Sequence, residues 1–352
     1  MKVVDLGEIC SMKYGKMLPK DLAVDDGFPV YSGYRITGYS KEYLYKDPML
    51  IVVARGVGGT GDVKIAPPNA WVTNLSIVLD LDELKVDKQY LCYLLNRESL
   101  KDKLNSGAAQ AQITIDSLTK YRIQLPSLEQ QRKNAKFLFN YDNLIENNRR
   151  RILLLEESAR LLYQEWFLHL RFPGHELVKI TDGAPEGWEK KPIKQIATLN
   201  YGKALKAEVR VPGSFPVYGS SGEVGSHEKA LVKGPGIVVG RKGNVGSIFW
   251  VNTDFYPIDT VYFISAEESS LFLYHALKNV QFINTDVAVP GLNRDMAYSR
   301  EILIPDDKNY QRFLSEAQPI QKQINNLQDY NNKLAQARDL LLPKLMSGEL
   351  TV

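Results

Sequence analysis

At 352 residues the chain is longer than a single domain of roughly 100 to 200 residues, so two domains with connecting structure are expected. An apolar fraction of 44% beside 24% charged residues excludes a disordered chain; no apolar run nears the roughly 18 residues that cross a bilayer, and Met1-Lys2-Val3-Val4-Asp5 has no signal-peptide pattern, so a cytoplasmic protein without a membrane partner is expected. The net charge of +3 allows a nucleic-acid partner without requiring one, because such binding depends on a local basic surface.

The first module is expected over residues 1–126. Its short apolar runs, Met49-Leu50-Ile51-Val52-Val53 and Leu75-Ser76-Ile77-Val78-Leu79, lie between Gly and Pro residues and read as strands, and the stretch from Tyr90 to Leu104 reads as a helix. That mixture predicts an α+β module. Cys10 and Cys92 show no paired metal-ligand spacing and are expected as buried free thiols.

After Pro126, Ser127 and Gln130 form a capping-box pattern: the hydroxyl accepts from the third helical amide while the glutamine reaches back. A helix is therefore predicted over 127–172. From Leu138 the residues Tyr141, Ile145, Asn148, Ile152, Leu155, Ala159, Leu162 and Trp166 fall in alternating steps of three and four, a heptad seam with one polar member. Arg171-Phe172-Pro173-Gly174 supplies the stop. The second module is expected over 173–305, with a leading linker at 173–186, strands at Gly236-Ile237-Val238-Val239 and Thr260-Val261-Tyr262-Phe263-Ile264, and a helix from Ser269 to Val280. Residues 306–352 carry a second seam at Ile320, Ile324, Leu327, Asn331, Leu334, Arg338, Leu341 and Leu345. Pro319 is expected to begin or kink that helix, and Pro343 to kink or end it. Long amphipathic helices need a partner. The simplest is the other helix, giving an antiparallel coiled coil with a module at each end and pseudo-twofold symmetry; the alternative is that each helix packs on its own module. Asn148 and Asn331, at seam positions, would cost stability but fix register.

The two modules repeat one another. Tyr14-Gly15-Lys16 returns as Tyr201-Gly202-Lys203, FPVYSG at 28–33 as FPVYGSSG at 215–222, IVVARG at 51–56 as IVVGRKG at 237–243, and YRIQLP at 121–126 is answered by REILIP at 300–305. Two similar surfaces on one chain suit a two-part target such as double-stranded DNA. Reading a base pair needs donors and acceptors against the groove edge, while affinity comes mostly from cations near phosphates. Each module offers a glycine-rich turn with cations after a predicted strand: Arg55-Gly56-Val57-Gly58-Gly59-Thr60-Gly61 and Arg241-Lys242-Gly243-Asn244-Val245-Gly246. The competing reading is a tight hairpin with a solvated Arg. Tyr31, Ser32, Tyr34 and Arg35, matched by Tyr218, Ser220 and Ser221 with His227 nearby, form a second set that could contact DNA or cap strands. Gln110 and Gln112, with Asn293 and Arg294 in the equivalent segment, are suited to adenine and guanine. Lys13, Lys16 and Lys203 are candidate phosphate contacts or solvated loop residues. Arg149-Arg150-Arg151 reads as a solvated helix face ahead of a DNA contact, with a surface for an acidic partner as a further alternative.

Catalysis by the chain itself is not expected. Ala66-Pro67-Pro68-Asn69 has the wrong order for an adenine methyltransferase motif. Pro305-Asp306 is followed by no acidic-x-Lys pair at a useful distance, so Asp306 reads as a helix start. His169, His175, His227 and His275 are scattered without metal-ligand spacing, so no metal and no cofactor are expected.

With these residues in view, the whole chain resembles the specificity subunit of a type I restriction-modification system. The resemblance is carried by Glu157-Ser158-Ala159-Arg160-Leu161-Leu162-Tyr163-Gln164-Glu165-Trp166-Phe167, by the run from Ala337 to Leu350 (ARDLLLPKLMSGEL), and by Leu125-Pro126-Ser127-Leu128-Glu129-Gln130-Gln131. Gly240-Arg241-Lys242-Gly243-Asn244-Val245-Gly246 and Gly291-Leu292-Asn293-Arg294 resemble a common target-recognition type. Asp306-Asp307-Lys308-Asn309 departs from the usual Leu-Glu-Gln signature at the second helix start. The resemblance implies two target-recognition domains that each read half of a bipartite site, and helices that set the gap between the halves. It also implies docking of two methyltransferase subunits, with restriction subunits joining the larger complex. A non-DNA-binding coiled-coil adaptor is the alternative.

Overall fold

In the computed structural model the described residues are 1–33, 35–56, 59–105, 111–283 and 291–352. The chain divides by contacts into two compact units, Met1–Asn147 with Tyr330–Val352 and Asn148–Asp329, so each unit takes a stretch of both long helices.

The first unit runs β1 (Lys2–Asp5), β2 (Cys10–Tyr14), β3 (Ala23–Val24), β4 (Phe28–Ser32), β5 (Arg35–Ser40), β6 (Met49–Val53), β7 (Val63–Ala66), β8 (Trp71–Val72), β9 (Ser76–Leu81), α1 (Lys88–Asn96), α2 (Leu100–Leu104), α3 (Ile115–Thr119), β10 (Arg122–Leu125) and the start of α4 (Leu128–Tyr163). The second runs β11 (Ile180–Thr181), β12 (Ala184–Pro185), β13 (Glu189–Pro192), β14 (Asn200–Tyr201), β15 (Phe215–Gly219), β16 (Gly222–His227), β17 (Gly236–Gly240), β18 (Ile248–Val251), β19 (Tyr256–Pro257), β20 (Val261–Ile264), α5 (Leu271–Lys278), α6 (Arg294–Tyr298), β21 (Glu301–Ile304) and the start of α7 (Asp307–Ser347). Short 3-10 turns link several of these elements.

The repeat read from sequence is a repeat of topology. One sheet has the order β2-β9-β6-β7 in the first unit and β14-β20-β17-β18 in the second; the other has β5-β4-β8, edged by β3, and β16-β15-β19. An early strand pairs with the last strand of each unit, β1 with β10 and β13 with β21. Even an irregularity is repeated, since the β4/β5 hairpin shifts register between Val30 and Tyr31 and the β15/β16 hairpin between Pro216 and Tyr218.

The central strands show why those apolar runs are continuous. Alternate side chains of a strand face opposite sides. On β6, Leu50 and Val52 enter the main core with Tyr90 and Leu91, whereas Ile51 enters a smaller cluster with Val72, Tyr31 and Tyr45. On β17, Ile237 and Val239 join the main core while Val238 joins Phe255 and Tyr218. With both faces buried, every position must be apolar. The helix predicted from Tyr90 to Leu104 is two helices, because Ser99 caps α2 by accepting from the Asp102 amide. Cys10 is buried as expected and Cys92 only half-buried; both are free.

The helices pair within each unit and are built into its core. In the first unit Ala135 and Leu138 of α4 share a cluster with Leu345 and Met346 of α7, Asn134 Nδ2 donates to the Leu345 carbonyl at 3.0 Å, and Arg338 pairs with Asp142 at 2.5 Å. In the second, Tyr163, Trp166 and Phe167 pack on Phe313 with ring centroids 5.9, 6.1 and 5.1 Å apart. In the first unit Asn134 meets Leu345 and Asp142 meets Arg338, so rising α4 numbers meet falling α7 numbers, which is an antiparallel pairing. Every predicted seam position is buried or half-buried. A wider π turn at Gln164–Leu168 ends the first helix and brings both Trp166 and Phe167 inward.

Three local expectations change. Ser127 Oγ does accept from the Gln130 amide at 3.3 Å, but the Gln130 side chain donates onward to Asn134 at 2.8 Å and not back to Ser127. The second helix begins at Asp307, ahead of Pro319, and runs through Pro319 and Pro343 to Ser347. Its start replaces the Leu-Glu-Gln chemistry with Asp306, whose Oδ1 accepts from the Asn309 amide at 2.9 Å and whose Oδ2 accepts from Trp188 Nε1 at 2.9 Å.

Candidate nucleic-acid interface

The second unit shows the site most completely. The chain leaves β17 at Gly240 and turns back into β18, with Gly243 and Gly246 at φ of +80° and +75°, a region that favours glycine. The turn is tied to the β15/β16 hairpin tip: Ser247 Oγ donates to the Ser220 carbonyl at 2.6 Å, and Asn244 Nδ2 to Ser221 Oγ at 3.2 Å. It is also tied to the segment before α6. The Leu292 amide donates to the Arg241 carbonyl at 2.7 Å, and Lys242 bridges Gly291. Asn293 caps α6, its Oδ1 accepting from Asp295 and Met296 at 2.8 and 3.2 Å, so that oxygen is committed to the helix.

The first unit repeats the junction. Ile113 donates to the Ala54 carbonyl at 2.9 Å beside an Arg55–Gln112 bridge. The hairpin tip is held by Thr73 Oγ1 donating to Ser32 Oγ at 3.1 Å and Ser76 Oγ to the Gly33 carbonyl at 3.4 Å. Gly15 and Lys16 join through their amides, which donate to the Ser76 and Val72 carbonyls. Each unit thus gathers its hairpin tip, its turn after the central strand and its segment before the short last helix at one junction.

Of the sequence-predicted residues, this junction brings together Lys16, Tyr31, Ser32, Arg35, Arg55 and Gln112 in one unit, and Tyr218, Ser220, Ser221, Arg241, Lys242, Asn244, Asn293 and Arg294 in the other. Lys203 lies beside them, its amide donating to the Pro257 carbonyl at 3.0 Å. Lys13 sits over the Tyr45 ring at 5.3 Å. His227 is not part of the junction: it lies at the far end of β16, about 17 Å along the strand from the tip, and its Nδ1 accepts from the Val211 amide at 3.2 Å. Tyr34 and Gln110, with Val57 and Gly58 of the first turn, lie outside the described residues.

Lys16, Arg35 and Arg55 are exposed in one unit, as are Lys203, Lys242 and Arg294 in the other. Burial, then the carboxylates of Asp62 and Glu223, raises the Tyr31 and Tyr218 phenols, the latter to about 12. Both stay protonated at neutral pH, so neither phenol adds negative charge to the cationic junction. Arg241 is not the solvated Arg of a plain hairpin: its Nη2 donates to the Asp259 carbonyl at 2.7 Å, and its guanidinium lies over Tyr201 and Tyr262 at 5.3 and 5.8 Å.

Sequence reasoning missed Tyr201 as a site residue. The signal was in plain view, since Tyr-Gly-Lys recurs as a unit and only its lysines were selected. Among the described residues, no group of three or more His, Cys, Asp or Glu side chains could hold a metal ion, and no helix is long and apolar enough to cross a membrane.

The chain matches the family described as type I restriction modification DNA specificity domain over residues 1–157 and 185–336. It is 26% identical, over 95% of its length and 86% of the relative's, to the type I restriction enzyme MjaIX specificity subunit of Methanocaldococcus jannaschii. It is 20% identical, over 91% of its length and 89% of the relative's, to a putative type I specificity subunit of Mycoplasma pneumoniae. In fold it is similar to the crystal structure of a type I restriction-modification system S subunit from M. genitalium, with a TM-score of 0.66 at 21% identity over 98% of this chain and 95% of that one.

Proposed function

The chain belongs to the type I restriction-modification DNA specificity family, and from that premise we propose that it is the sequence-reading subunit of a DNA methyltransferase and endonuclease complex, without catalysis of its own. Residues 1–126 and 173–305 are the two target-recognition domains, and residues 127–172 and 306–352 the two helices. Each domain reads one half of a bipartite duplex site through its junction. The helices set the gap between halves and dock two methyltransferase subunits, to which restriction subunits add. A soluble cytoplasmic location follows from that role.

The single observation that carries this reading is the repeat of one cationic, hydrogen-bonding junction in both units, on loops held in each unit by its own pair of equivalent sheets. A one-part ligand would not need it twice. The bases belong to Arg55 and Asn244 at the two turns and to Arg294 at the start of the second unit's short last helix, and the phosphates to Lys16, Lys203 and Lys242.

Mapping methylated motifs in the source cell tests the proposal, and is expected to give one asymmetric site with two short halves and a fixed gap. Affinity of the purified chain for random duplex should fall steeply with salt, as counterion release demands. A flat salt response combined with tight protein binding would instead mark a coiled-coil adaptor.

A further inference from the structure

Two arginines of the second unit share one aromatic platform, yet their donors are used differently. Arg241 is half-buried, and both its Nε and its Nη2 donate to the Asp259 carbonyl, at 3.3 and 2.7 Å. The Nε/Nη2 edge, one of the two edges by which an arginine can pair with O6 and N7 of guanine, is therefore already engaged. Arg294 is exposed, and among the described residues no hydrogen bond takes up its N–H groups. Its contacts are rings: the guanidinium lies 5.1 Å from the centroid of Tyr201 and 5.9 Å from that of Tyr298. Tyr201 thus touches both guanidiniums, and it packs edge-on against Tyr262 at 5.1 Å.

The backbone around this group is fixed. Arg294 is the first residue of α6, capped by Asn293, while Tyr298 receives the Leu199 amide on its hydroxyl at 3.0 Å. Tyr262 donates to the Leu292 carbonyl at 2.9 Å, which holds the segment that leads into Asn293 and Arg294. A flexible cation stacked on two anchored rings loses less freedom on meeting a base than one waving in solvent.

We propose that Arg294 is the residue of the second domain that reads a guanine in the major groove, that Tyr201 is the positioning residue that holds it ready, and that Arg241 is a brace and not a reader. This rests on the DNA-reading function proposed above. The first unit has Ile115 at the first position of its equivalent helix, after the cap Thr114, so the device belongs to one half-site only.

The test assembles the full chain with its methyltransferase subunits and offers a pool of duplexes randomised over both half-sites, the methylated sequences then being read. Arg294→Ala should lower the preference for guanine at one position of one half roughly tenfold to a hundredfold, with the other half unchanged. Arg294→Lys should not restore it, because an ammonium has no planar fork. Tyr201→Leu should relax the same position and Tyr201→Phe should keep it. The assignment is overturned if Arg294→Ala weakens all sequences equally or changes nothing, if Arg241→Ala is the variant that relaxes a guanine, or if Tyr201→Leu leaves the position intact. The exposed Arg294 can be replaced without disturbing a core, and the unaffected half-site serves as the folding control for every variant. A wild-type complex without sequence preference would defeat the function proposal itself, which is a separate result.

Discussion

Gly202 has no side chain because there is no room for one: a Cβ there would lie 2.0 Å from the Ile258 carbonyl oxygen and 2.6 Å from that of Pro257. Gly15, its counterpart, would place a Cβ 2.3 Å from the Val72 carbonyl oxygen. In both copies the missing side chain lets the Tyr-Gly-Lys strand press against the backbone that supports the junction. Gly202→Ala is expected to cost about 2 kcal/mol or more, as overpacking against rigid backbone does, read as a lower midpoint in denaturant. His275 supplies a residue-scale pH dependence. It is buried against Tyr163, Tyr274 and Phe313, and burial, then the nearby Lys278, lowers its pKa from 6.5 to about 4. Below pH 6.5 the unfolded chain takes up a proton that the folded chain refuses until about pH 4, so stability falls as pH drops through that window. The slope should approach roughly 1.4 kcal/mol per pH unit. A His275→Gln variant that kept the same slope would show that other groups cause it.

Half-buried polar joints tie both long helices to the units around them. Asp306 starts α7 while holding the Trp188 indole of the second unit. Burial pushes its carboxyl up, but donors from Asn309, Trp188 and the Lys308 amide together outweigh this and hold it below the usual range. Asp306→Ala should destabilise by about 1 to 2 kcal/mol through the lost cap alone. In a double-mutant cycle with Trp188→Phe, additive losses would show that the indole bond contributes nothing. In the first unit Asp142 of α4 accepts from both Arg338 of α7 and the Tyr93 hydroxyl of α1, joining both helices to the recognition domain. Arg338→Ala should cost about 1 to 2 kcal/mol, discounted because a third of the pair is exposed. Thermal melting of Arg338→Ala against Arg338→Ala/Asp142→Asn checks it, since a carboxylate left alone should be worse than a neutral amide.

On the scale of the whole molecule, the proposed role of the helices is to set a distance. Inserting one heptad into each would lengthen them by about 10.5 Å, or about three base pairs at roughly 3.4 Å each. Methylation mapping should then show the same two half-sites with a wider gap, and altered half-site sequences would contradict a spacer role. The repeat, the continuous strands Met49–Val53 and Gly236–Gly240, both seams and the antiparallel pairing of the helices were legible in the chain, because residue-type periodicity and internal similarity are written locally. The helix that runs through Pro319 and Pro343 was not, since packing there outweighs local propensity, while the Ser99 cap and the Gln130–Asn134 bond are local contacts, three and four residues apart, that the apolar pattern and the capping-box reading passed over. Among site residues, sequence chemistry picked arginines and lysines as a class. It could not separate Arg241 from Arg294, nor set His227 apart from the hairpin tip, because the Asp259 carbonyl, the Tyr201 ring and the Val211 amide meet these groups only after folding. What the sequence by itself determined was two related modules and two amphipathic helices. Which polar groups are spent inside the fold, and which stay available to a partner, was decided by tertiary structure, because a hydrogen bond is satisfied by atoms brought close in space.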